Sequence, residues 1–193
     1  MQYLLTPRAK KIPPYAWWEG AFTEQELDWL QQQAIKAESQ AQVGGSFHPS
    51  DLAKIRRSQI SWLNNNPNTK WVFEKLANVA SQLNAEHFCF DLTGFGEPLQ
   101  LTNYDQVEKG MYGWHQDYGV GISRKLSLSL QLTDPSEYEG GNLQTMTSGS
   151  PENVRKQRGL IVAFPSYVLH QVTPVTQGSR QSLVAWISGP SFK

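Results

Sequence analysis

The segment Ser127-Leu128-Ser129-Leu130-Gln131-Leu132 alternates polar and apolar residues without a break. That is the period of an extended strand with one apolar and one polar face. The leucines belong on a core, and the opposite face, Ser127, Ser129 and Gln131, could line a pocket. The same pattern runs through the chain from Phe88 onward: short runs of β-branched, aromatic and alternating residues, punctuated by glycine, proline and asparagine. Strands are predicted at 88–93, 98–105, 111–117, 125–132, 142–146, 159–164, 167–173 and 181–187, with no helix among them. So many short strands suggest a jelly roll or barrel, because closing or doubling a sheet protects its edges. Glu139-Gly140-Gly141-Asn142 has the composition of a tight turn, and the basic run 155–159 reads as a solvated turn.

Upstream the pattern is helical. Thr23-Glu24-Gln25-Glu26 forms a capping box, followed by Leu27, Leu30, Ala34 and Ile35 at helical spacing. A second helix carries Trp71, Leu76, Val79, Ala80 and Leu83, after a strand over 57–63 and the breaker Asn64-Asn65-Asn66-Pro67. Between the helices, 41–54 reads as a long exposed loop, a kind of segment that is often functional. With 193 residues, 39% of them hydrophobic, the chain can bury one sizeable core and is short for two domains. One domain over 1–193 is expected, with helical support at 1–87 and a β core at 88–193. Near the N-terminus, Tyr15, Trp17 and Trp18 could either pack on the core or form an interface.

Chemistry enters with Trp114-His115-Gln116-Asp117-Tyr118. On a strand His115 and Asp117 project from the same face and could share a metal. His170 lies in another predicted strand, which a small barrel can place opposite that pair. Two imidazoles and a carboxylate on one side of iron form the facial triad of non-haem Fe(II) oxygenases and leave the other side open. Arg180, opening the last strand, can clamp a carboxylate through two parallel hydrogen bonds. A 2-oxoglutarate co-substrate needs such an anchor, because its keto-acid end chelates iron while the distal carboxylate must be neutralised. Ser182 faces the same way and could add a donor.

Three blocks, WHQD at 114–117, RKLSLSLQLTDPSEYEGGNL at 124–143 and FPSYVLHQVTPVTQGSRQSLVAW at 164–186, make the segment from Tyr104 to Trp186 resemble the catalytic core of the 2-oxoglutarate/Fe(II) dioxygenases, in their prolyl 4-hydroxylase-like branch. The resemblance implies a mostly β fold, a double-stranded β-helix (jelly roll) with supporting N-terminal α-helices. It implies Fe(II), 2-oxoglutarate and O2, with ascorbate as a reductant, and His115, Asp117 and His170 as metal ligands. Tyr104 and Gln131 fall where side chains approach the distal carboxylate, although the family more often has tyrosine at Gln131. Arg56 and Trp186 fall where relatives contact or enclose substrate; a surface ion pair for Arg56 and plain packing for Trp186 are the alternatives. The strand around 55–63 resembles the one that follows a mobile substrate loop, which assigns that role to 41–54. The implied activity is hydroxylation of a prolyl residue in a peptide or protein, with release of succinate and CO2.

Other readings remain open: the same chemistry on a free amino acid, small metabolite or methylated nucleobase, a cupin-like metal-binding domain without turnover, or a zinc hydrolase. Seventeen Lys and Arg balance seventeen Asp and Glu, which argues against a nucleic-acid substrate or a general attraction to membranes. The apolar stretch at Leu4-Leu5 is too short for a signal peptide or a membrane helix. Cys89 has no internal partner for a disulfide and is expected to be a buried, inert thiol, so a cytoplasmic location is the default.

Overall fold

A computed structural model describes residues 12–36, 39–40, 49–119 and 123–191. Three α-helices occur among them: α1 (Glu24–Ile35), α2 (Pro49–Ile55) and α3 (Lys70–Leu83). Helix α1 starts where the sequence places it. Thr23 Oγ1 accepts from the Glu26 backbone N–H and Glu26 accepts from the Thr23 backbone N–H, a pair of caps that contributes ~1 kcal/mol.

The described strands form two sheets. The larger runs in the order Ala16–Trp18, Ile161–Pro165, Arg124–Gln131, Val175–Ser188, Leu99–Asp105, Gln59–Leu63 and Ser39–Gln40, all antiparallel. The smaller runs Glu152–Asn153, Leu143–Met146, Leu169–Val172, Met111–His115 and Arg56–Arg57. Together they make a mostly β, double-stranded β-helix supported by α1 and α3.

The strand Arg124–Gln131 behaves as its alternation requires. Leu126, Leu128 and Leu130, with Leu132 just beyond, are fully buried in one cluster with Leu27, Leu30, Val72 and Leu76 of the helices. Truncating any of these leucines to alanine should cost ~2–5 kcal/mol. Ser127 and Ser129 project the other way, into the space between the sheets. The long strand Val175–Ser188 divides similarly: Leu183, Ala185 and Ile187 enter the core, while Arg180, Ser182, Val184 and Trp186 line the inter-sheet pocket.

Several local expectations are corrected. Residues 88–93 are not a strand, because α3 runs into a π-helical turn, Asn84–Phe88, and the chain pairs only from Gly94–Phe95 onward. That turn ends at Cys89 in the left-handed region, φ 57°. The ending buries Phe88 and leaves Cys89 exposed instead of buried. A short 3-10 turn, Pro135–Glu137, interrupts the region expected to lack helix. Strands from the helical third, including Gln59–Leu63, join both sheets.

The basic run is no solvated turn. Arg158 ties the sheet to α1 through Asp28 at 2.5 Å and Glu24 at 3.1 Å, and it also donates to Gln31 and the Leu132 carbonyl. Ala16 is buried, whereas Trp17 and Trp18 lie exposed on an edge strand. The expected loop contains α2 at its end, 49–55; its remainder at 41–48 lies outside the described residues, as does the segment with Leu4 and Leu5. No helix among the described residues is long and apolar enough to cross a membrane.

Candidate active site

His115 is the last residue of its strand, and Asp117 sits in the bend beyond it. The shared face inferred from a continuous strand is therefore not what joins them. Instead the Asp117 and Tyr118 backbone N–H groups both donate to the Ser166 carbonyl at 2.9 Å, which turns the chain back toward the pocket. His170 stands directly across the ladder from His115. The three side chains converge, with one ligand atom from each lying within 4.8 Å of the others. His115 Nε2 is 3.9 Å from Asp117 Oδ1, and His170 Nε2 is 3.6 Å from Asp117 Oδ2.

The surroundings prepare this donor set. His115 Nδ1 lies 2.7 Å from the Gly113 carbonyl and His170 Nδ1 lies 2.9 Å from that of Val168. A carbonyl only accepts, so each proton is held at Nδ1 and the Nε2 lone pair is left toward Asp117, as metal-ligating histidines require. Tyr112 stacks on His115 with centroids 3.4 Å apart, and Phe164 packs 4.6 Å from His170. Burial, then the neighbouring His170, push the His115 imidazole down to about 3. For Asp117, burial opposes charge, but His170, His115 and a 2.7 Å hydrogen bond from Ser127 outweigh it and hold the carboxyl below its ordinary range. The buried Trp186 indole N–H, which completes no regular hydrogen bond, also favours the anion. Two imidazoles that present Nε2 and an ionised carboxylate suit a divalent first-row metal, and these residues could hold one.

The cluster lies on the wall of a pocket of about 360 Å³ between the sheets. Arg180 is buried in the same pocket, facing Tyr104 across the ladder with its guanidinium 5.7 Å from that ring. Its Nε donates to Gln131 Oε1 at 3.0 Å, and Gln131 Nε2 in turn donates to the Thr133 carbonyl and the Tyr138 hydroxyl. Ser182 lines the same wall. No carboxylate among the described residues pairs with Arg180, so its charge is available to an anion that enters.

Arg56 is not in a surface ion pair. It is buried with its guanidinium 4.5 Å over Tyr112 and its Nε donating to Ser58. Trp186 packs in the pocket wall with its ring 3.8 Å from the Arg124 guanidinium and 6.3 Å from the Trp62 ring. The sequence reading did not single out Tyr112, Trp62, Glu97 or Arg124, all of which line the pocket. Arg124 is held by Glu97 through bonds of 2.6 and 2.5 Å. Position three before His115 could have flagged Tyr112; Glu97 and Arg124, 27 residues apart, carry no local signal.

A double-stranded β-helix with a pocket holding two histidines, one carboxylate and a buried arginine defines the class of non-haem metal oxygenase folds. Residues 99–188, a little under half of the chain, match the family model of the 2OG-Fe(II) oxygenase superfamily. A PKHD-type hydroxylase of Teredinibacter turnerae is 30% identical over 129 residues, 63% of this chain and 57% of that protein. The chain spans little more than half the length of that curated relative. A prolyl-4-hydroxylase of Pseudomonas putida shares the fold with a TM-score of 0.71 at 19% identity, over 92% of this chain and 94% of that one. A Trichoplax adhaerens prolyl hydroxylase, solved with a peptide fragment of the hypoxia inducible factor oxygen degradation domain, superposes with a TM-score of 0.76 at 15% identity, over 91% and 84%. The superfamily implies Fe(II), 2-oxoglutarate and O2.

Proposed function

We propose that this chain is, as one domain, an Fe(II)- and 2-oxoglutarate-dependent dioxygenase that hydroxylates a prolyl residue in a peptide or protein. The observation that carries this reading is the pairing, in one pocket, of a His115, Asp117 and His170 cluster with a buried Arg180 that has no acidic partner. The three side chains would hold the metal, and Arg180, with Gln131 beside it, would anchor the distal carboxylate of the co-substrate. When bound, iron and 2-oxoglutarate supply the oxidising chemistry that places one oxygen atom of O2 on a substrate C–H bond, with succinate and CO2 as the other products.

The chain's own task is orientation and exclusion of water. Tyr112 and Phe164 fix the imidazole rings by packing. Ser127 and the Ser166 carbonyl fix Asp117, one through its carboxylate and the other through its backbone. Trp62, Trp186 and Arg124 form a wall of rings and one cation on which a substrate can be positioned, and Arg56 flanks Tyr112 in the same pocket. No separate general base is needed, and ascorbate would serve only to keep the metal reduced. The peptide reading draws on the prolyl hydroxylase neighbours, one of them solved with a peptide.

Anaerobic titration of the Fe(II)-loaded protein with 2-oxoglutarate tests the proposal. A weak visible charge-transfer band that diminishes in Arg180→Ala is the expected result, followed by peptide-dependent succinate release once O2 is admitted. No band, with iron bound and the fold intact, would turn the reading to a binding domain or a zinc enzyme.

A further inference from the structure

A second cation, Lys156, lines a small chamber that adjoins the main pocket at Arg180. This chamber of about 20 Å³ shares Ser129, Leu143 and Arg180 with the main pocket and is closed by Gln131, Tyr138, Gly141 and Lys156. Lys156 Nζ lies 4.5 Å over the Tyr138 ring and donates to the Gly140 carbonyl at 2.5 Å, which leaves two of its three donors for a ligand. No carboxylate among the described residues forms an ion pair with Lys156 or Arg180. Burial, and then the like charge of Arg180, both depress the Lys156 ammonium.

The chamber is shaped for close approach. A Cβ at Gly141 would come within 3.0 Å of Arg180 Cδ and 3.2 Å of Tyr138 Cε2, so a larger residue would press these side chains aside by a few tenths of an ångström, at a φ of +55° that favours glycine. The Tyr138 hydroxyl accepts from Gln131 Nε2 at 3.0 Å. It therefore brings a phenol to Gln131, the position where the resemblance had led one to look for tyrosine. Like charges gathered in a partly desolvated chamber are unfavourable until an anion joins them.

We infer that Tyr138 and Lys156 are further co-substrate-binding residues, forming with Arg180 and Gln131 a two-cation seat for the distal carboxylate of 2-oxoglutarate. This rests on the oxygenase reading above. Lys156 supplies a second charge, Tyr138 supplies a hydroxyl from a different strand, and the site thereby selects a dicarboxylic keto acid over its monocarboxylic analogue.

The test is calorimetric titration of the Mn(II)-loaded full chain with 2-oxoglutarate and with 2-oxopentanoate, the five-carbon keto acid that lacks the distal carboxylate. The wild type should bind 2-oxoglutarate far more tightly. Lys156→Gln and Tyr138→Phe should each weaken 2-oxoglutarate about tenfold, because each loses a hydrogen bond to a charged carboxylate. Binding of 2-oxopentanoate and of Mn(II) should not change, and Lys156→Arg should keep most of the selectivity. Equal losses for both keto acids would mean that Lys156 and Tyr138 only support the fold, and would overturn the inference. So would wild-type binding in both variants when Arg180→Ala loses 2-oxoglutarate, an outcome that leaves the oxygenase reading standing. A wild type that does not distinguish the two keto acids would remove that reading and the inference with it. Tyr138→Phe loses one hydroxyl only and carries the test alone if Lys156→Gln does not fold.

Discussion

Ser127 Oγ lies 2.7 Å from Asp117 Oδ2 and donates to it, so the strand whose leucines build the core also steadies the carboxylate of the candidate metal cluster. Ser166 Oγ is 3.0 Å from the same hydroxyl. Replacing Ser127 with alanine removes a donor that favours the anion and fixes its orientation. Outer partners of this kind change metal affinity by roughly 10–100-fold. Ser127→Ala should therefore weaken Mn(II) binding about tenfold, at the low end of that range because Asp117 keeps its backbone bond to Ser166. Calorimetry would show it, and an unchanged affinity would mean that the backbone bond alone holds Asp117 in place.

Substituting His115 or Asp117 by alanine should abolish iron-dependent turnover while leaving the fold intact. Both residues sit on the pocket wall instead of in the hydrophobic cluster of leucines, so their truncation opens no core cavity. Succinate formation in metal-controlled buffer, alongside a thermal melt, separates loss of chemistry from loss of structure. Retained turnover in either variant would remove the triad from consideration.

How much of this was legible in the sequence depends on the range over which each signal acts. The alternation at 127–132 and the capping box at Thr23 are local, and both were read correctly. Arg180 was legible from its place ten residues after His170, at the opening of the last predicted strand, with Ser182 two residues on. The cluster of His115, Asp117 and His170 was also found, although for an incomplete reason: the strand stops at His115, and a bond to the Ser166 carbonyl brings Asp117 round. Cys89 was misjudged because a π-helical turn shifts which residue faces inward. The pairing of Arg158 with Asp28 across 130 positions, like the approach of Lys156 to Tyr138, exists only once the sheet is assembled. No residue-by-residue pattern could announce those contacts.

The metal-free protein should lose stability on mild acidification. The His115 imidazole is pushed from an ordinary 6.5 to about 3, so between those values the unfolded chain binds a proton that the folded chain resists. Stability is therefore full above about pH 6.5 and falls as pH drops toward 3. Asp117, also depressed, acts in the same direction below its ordinary 3.8. Melts of chelator-treated protein from pH 7.5 downward should show a falling Tm, with a shallower slope in His115→Gln. A flat wild-type profile would mean that folded His115 accepts the proton freely.

Gly140 offers a test of the hairpin that carries Tyr138 toward the pocket. Its φ is +71°, and a Cβ there would lie 2.1 Å from the Pro174 carbonyl oxygen and 3.1 Å from the Thr176 nitrogen. Both obstacles are backbone, so no side chain can swing aside to make room. Gly140 also pairs with Val175, at the start of the strand that continues to Arg180. Gly140→Ala must therefore either strain the turn or open that pairing, at a cost of ~2–3 kcal/mol. For a domain of this size the Tm should fall by roughly 4–12 °C. Gly149 provides the control, because nothing lies within 4 Å of its Cβ position and its φ is not positive. Gly149→Ala should leave Tm within about 1 °C of wild type, as surface changes usually do. If both variants melt together near the wild-type temperature, the hairpin relaxes without strain, and the close approach of Pro174 to Gly140 contributes nothing to holding Tyr138 where it stands.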